Sequence, residues 1–66
     1  MENLKIVRRP VVQAMTGLSR SSIYAKMASG TFPRTINLGE RSVGWLEHEV
    51  QEWLKNRISL SRQGDM

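Results

Sequence analysis

Sixty-six residues, 39% hydrophobic and 24% charged, make one small soluble domain rather than a disordered chain, burying about 60% of its unfolded surface. With no cysteine, disulfides and thiolate zinc sites are excluded, and no apolar run approaches the roughly 18 residues of a membrane span. The net charge of +4 is uneven, +5 over residues 1–46 and −1 over 47–66, so a polyanion partner is indicated for the first part of the chain.

Leu4-Lys5-Ile6-Val7 reads as an apolar edge strand or arm laid on the core. A helix over 10–16 follows, because Pro10 suits a first helical turn and Val11, Val12 and Met15 share one face. Gly17 ends it in the left-handed conformation that helix ends favour, Leu18 points back to the core, and Ser19 caps the next helix. That second helix, 19–29, buries Ile23 and Met27. Ser21, Ala25 and Ala28 lie opposite, flanked by Ser22, Ser29 and Tyr24, with Arg20 and Lys26 at the edges.

Phe32-Pro33 stops the helical pattern, and alternating residues over 35–46 make a hairpin around Gly39-Glu40-Arg41. Its expected inward residues are Ile36, Leu38, Val43 and Trp45. A third helix, 46–58, carries Val50, Trp53, Leu54 and Ile58, with acids at its start and bases at its end as the helix dipole prefers. Residues 59–66 lack a period and read as a mobile tail. The chain is therefore mainly α with a small β-hairpin (α+β), a single winged helix-turn-helix domain ordered over about 5–58.

In such a fold, helix 19–29 enters the major groove of DNA with its N-terminal residues at the base edges. Arg20 is the expected base reader, able to take guanine O6 and N7 bidentately. Ser19, Ser21, Ser22 and Tyr24 would hold phosphates, with Lys26 at the rim of the same surface. The wing, Gly39 to Ser42, would lay Arg41 along the backbone or into the minor groove, and Arg34 would clamp a phosphate just before the hairpin. Lys5, Arg8 and Arg9 read as solvated charges with some reach to phosphates.

Thr16-Gly17-Leu18-Ser19-Arg20-Ser21-Ser22-Ile23-Tyr24, Gly30-x-Phe32-Pro33-Arg34, Leu38-Gly39-x-Arg41 and Trp45-x-x-x-Glu49-Val50-x-x-Trp53-Leu54 together resemble the AlpA family of prophage-associated regulators. The likeness covers about residues 5–57 and extends to phage excisionases and the DNA-binding domains of MerR-type regulators. It implies a MerR-like winged helix and a transcriptional regulator of prophage genes, often an integrase gene, with integrase or RNA polymerase as protein partners. Many family members carry a basic residue where this chain has Ala25; here the charge sits at Lys26, turned from the outward face.

Two other readings compete. A recombination directionality factor would bend DNA to favour excision, and a protein-interaction module would use the acidic third helix against a partner regulator. Trp45 and Trp53 read as core rather than as a stacking platform for single strands. His48, Glu49 and Glu52 share helical turns without a supporting shell, so no metal site is expected. No histidine is placed to activate the serines, so no enzymatic activity or cofactor is expected either. Without a heptad or long apolar stripe, a monomer assembling cooperatively on adjacent DNA sites is expected. No signal-peptide core follows Arg8-Arg9, which leaves the cytoplasm as the expected compartment.

Overall fold

A computed structural model describes residues 4–64 of the chain. Its elements run β1 (Ile6–Val7), α1 (Arg9–Thr16), α2 (Arg20–Ala28), β2 (Ile36–Gly39), β3 (Ser42–Leu46) and α3 (Glu47–Gly64). The three strands form one antiparallel sheet in the order β1-β3-β2. This is an α+β, winged helix-like fold.

Local chemistry sets the α1–α2 corner. Pro10 lies in the first turn of α1, and Gly17 closes that helix at φ 74°, donating its N–H to Gln13 O at 2.8 Å. An L side chain is strained at that φ, so glycine makes the corner tight. Thr16 Oγ1 reinforces it, donating to Val12 O at 2.8 Å and accepting from Leu18 N at 3.2 Å.

The core is Val7, Val12, Ile23, Phe32, Trp45 and Val50, with Met15, Leu18, Met27, Trp53 and Leu54 packed against it. Trp45 is fully buried at the middle of the sheet, and its indole N–H donates to Pro33 O at 3.1 Å. Trp53 is only half-buried. It meets Phe32 edge-on at 4.9 Å and donates to Thr31 O at 2.6 Å, fastening the segment after α2 to α3. The arm docks beside them, with Glu47 N donating to Lys5 O at 2.8 Å and Lys5 Nζ 3.6 Å from the Glu47 carboxylate.

Two expectations are corrected. Ile36, Leu38 and Val43 are not buried as expected: they are 37%, 45% and 37% exposed. At the hairpin tip Gly39 opposes Ser42, but a bulge between Asn37 and Gly39 shifts the register so that Asn37 opposes Val43 and Ile36 opposes Gly44. One extra residue moves Ile36 to the face away from Trp45, as any one-residue slip must. Val43 shares a face with Trp45 yet lies further out along the wing, at the open cleft shared with Tyr24 and Arg9. Helix α3, second, does not stop at Ile58 but continues to Gly64, while residues 65–66 of the expected tail lie outside the described residues. Ile58 and Leu60 are about half exposed there (47% and 53%). Leu60, Arg62 and Gln63 favour the helix there, and Arg62 suits the negative end of its dipole, so the extension needs little burial.

The pairing of β1 with β3 requires a glycine at position 44. A Cβ there would sit 2.5 Å from Ile6 Cγ2 and 3.0 Å from Val7 O. Gly44→Ala should destabilise the domain by about 1–3 kcal/mol through overpacking, read as a lower melting temperature. Adding Ile6→Ala should recover part of the loss, since the nearest obstructing atom belongs to Ile6. An unchanged melting temperature in the single variant would contradict the β1–β3 register.

Candidate nucleic-acid interface

Ile23 anchors the surface from beneath. Fully buried, it fixes the rotation of α2, so that Arg20, Ser21, Tyr24 and Ala25 are exposed on the other side. Ser19 caps the helix: its Oγ accepts the Ser22 N–H at 3.1 Å and donates to Ser22 Oγ at 3.0 Å. The Ser19 hydroxyl proton is thus committed inside the cap, while Ser22, half-buried, has its own proton to give outward. Ser21 carries the one hydroxyl in this turn with no partner in the fold among the described residues. Lys26 is half-buried and its carbonyl closes the far end of α2, accepting from Thr31 N at 2.8 Å. The Arg20 guanidinium carbon stands 6.0 Å from the centre of the Tyr24 ring, one helical turn on. That is the outer edge of cation–π range, enough to bias Arg20 along the helix.

The wing contributes Arg41, which adopts φ 57°, the only non-glycine residue with positive φ among the described residues. This conformation costs a non-glycine residue about 1–2 kcal/mol. Exposed Arg41 does not recover that cost through packing. Ser42 follows, half-buried at the start of β3. Tyr24, Arg41, Arg8 and Arg9 line one cleft of about 480 Å³, backed by Val43 and Trp45. Arg8 and Arg9 were not singled out as site residues by the sequence. Their adjacency just before the Pro10 turn was the available signal, and β1–β3 pairing is what brings them to the wing.

Arg34 is not brought to this surface. It lies with His48, Glu49 and Glu52 in a separate cleft between the hairpin's start and α3. The molecule is thereby electrically divided. Among the described residues no carboxylate lies within 4 Å of Arg8, Arg9, Arg20 or Arg41, and the two ion pairs, Lys5–Glu47 and Glu52–Lys55, both involve α3. No described helix is long and apolar enough to cross a membrane.

The family model for the prophage CP4-57 regulatory protein (AlpA) matches residues 5–58. The chain belongs to the AlpA family. Its relatives include the DNA-binding transcriptional activator AlpA of Escherichia coli K12, 40% identical, with the match covering 86% of this chain and 90% of that protein. Another is the uncharacterized protein ORF88 of Enterobacteria phage P4, 40% identical over 91% of this chain and 68% of that one. The matched range takes in every element from β1 to the part of α3 that packs on the core, so the AlpA match coincides with the packed fold, and the projecting end of α3 lies outside it.

The cap geometry predicts that Ser19→Ala costs roughly 1 kcal/mol of stability, while Ser21→Ala leaves the melting temperature within the error of the measurement. Equal melting curves for both variants would contradict the assignment of Ser19 to the cap.

Proposed function

We propose that this AlpA-family chain is a sequence-specific binder of double-stranded DNA and a prophage-type transcriptional regulator. Helix α2 enters the major groove with Arg20 at a base edge, and Ser21, Ser22 and Tyr24 meet phosphates beside it. Arg41 and Ser42 of the wing follow the adjacent backbone or minor groove. Ser19 acts by holding the first turn of α2, Lys26 contributes charge from the rim, and Arg34 contacts DNA only where the duplex extends past the hairpin. The observation that carries this reading is the continuous line from Arg20 through Tyr24 to Arg41, a set of exposed cations without carboxylate partners among the described residues.

Control of an integrase gene, with RNA polymerase or integrase as protein partner, is the role we assign, acting in the cytoplasm as a monomer that assembles on adjacent sites. The E. coli relative is described as a transcriptional activator, which favours a regulator over an excision factor.

Footprinting on the DNA around the chain's own gene would supply the target. On that target, affinity should fall steeply as salt rises, in proportion to the phosphates neutralised. Arg20→Ala should cost about 1–3 kcal/mol of discrimination between target and scrambled duplex with an unchanged melting temperature. Undiminished discrimination would remove Arg20 as the base reader, and an absence of duplex affinity at any salt would end the DNA-binding reading itself.

A further inference from the structure

Three arginines, Arg8, Arg9 and Arg41, line one cleft, and none has a carboxylate partner among the described residues. Arg8 is the N-cap residue of α1 and makes no side-chain capping bond, and Arg9 is the first residue of the helix. No acidic residue occupies that first turn. The positive end of a helix dipole disfavours cations, yet two stand there, and the cleft brings the Arg41 side of the wing to the same place. Arg41 itself holds a conformation that glycine would take without strain. Of the three, only Arg9 has a side-chain partner among the described residues, Gln13 Oε1 at 3.3 Å, and that partner is neutral. Three like charges, a helix terminus of the same sign and a strained backbone at one cleft are unfavourable together in the free protein. An anion set among them reverses the sign of the electrostatic terms and offsets the backbone cost at Arg41.

We infer that Arg8, Arg9 and Arg41, with the Tyr24 hydroxyl, form a single seat for one DNA backbone phosphate, clamped between the start of α1 and the wing. This rests on the DNA-binding reading above and deepens it. The seat positions the protein on the duplex and carries no base information, a task separate from that of Arg20. Val43 offers apolar surface to the cleft, with the buried Trp45 behind it, which strengthens charge-assisted hydrogen bonds to a phosphodiester relative to open water. Tyr24 joins the two tasks, since its ring lies 6.0 Å from the Arg20 guanidinium carbon and the residue also lines the cleft. Two residues next to Pro10 thus become part of the interface through the fold alone.

The test uses the full chain and a mixed-sequence 20-base-pair duplex alongside the footprinted target, with affinity measured by fluorescence anisotropy across a salt series. Three variants are compared: Arg8→Gln with Arg9→Gln, Arg41→Gly, and all three substitutions together. Each of the first two should weaken both duplexes by a similar factor, about tenfold, and lower the slope of log affinity against log salt by about one. The combined variant should lose much less than the product of the two losses, because residues sharing one phosphate are not additive. Arg41→Gly should also melt at a higher temperature than the parent while binding more weakly, which a merely structural role for Arg41 would not produce.

Losses that multiply would show separate phosphates and overturn the single seat, as would a loss confined to the target duplex, the mark of a base contact. A steep salt dependence left intact in all variants would overturn the seat and leave the DNA-binding reading standing. Failure of the parent protein to bind either duplex would overturn both. Inorganic phosphate bound by the parent and lost in the combined variant, while duplex affinity is unchanged between the two, would mark a small-anion site instead and overturn the duplex assignment.

Discussion

The indole of Trp45 ties the wing to the helices. Completely buried in the central strand, it packs in one cluster with Val12 of α1, Ile23 of α2 and Val50 of α3, and its N–H holds Pro33 O. A domain this small has few residues with which to fix the relative placement of its parts. One large aromatic ring that touches every layer does so with little side-chain entropy to lose. Everything proposed for the surface follows from that placement: Ile23 sets the rotation of α2, β1 pairs with β3 at Val7 and Trp45, and Arg8 and Arg9 are delivered beside Arg41.

Charge is distributed with the same economy. Cations without carboxylate partners lie along α2, the start of α1 and the wing, while the acids of α3 take part in both described ion pairs. Such a division orients the molecule in the field of a polyanion before contact is made. It also leaves this side less comfortable than it needs to be for folding alone, with Arg41 at positive φ and two arginines at a helix's positive end. Local strain of this kind persists where function requires it and the surrounding structure enforces it.

Much of this was legible in the sequence because it rests on local rules. Gly17 and Ser19 announced the α1–α2 corner, Pro10 the start of α1, and the Gly39-Glu40-Arg41 turn the hairpin. The ordered motifs from Thr16 to Leu54 carried the AlpA family. The inward face of β2 was not legible, because the bulge at Leu38 changes the pairing by one residue and nothing in an alternating pattern marks where an extra residue enters. The end of α3 was missed for a related reason: a helix that buries no face leaves no apolar period to read. Trp53 was expected as core on its size and spacing, yet it is half-buried and serves as a fastening for Thr31 and Phe32. Convergence of Arg8, Arg9 and Arg41 depends on pairing between β1 and β3, a contact between distant parts of the chain, and so required the fold.

Backbone amide shifts followed while duplex DNA is titrated into the labelled protein show whether α2, the start of α1 and the wing meet DNA as one surface. Perturbations should gather on residues 8–10, 19–26 and 39–43, with the Trp45 indole signal still protected from exchange, because the two halves of the surface are locked to one another through that ring. Shifts confined to α3, with α2 and the wing undisturbed, would contradict the account.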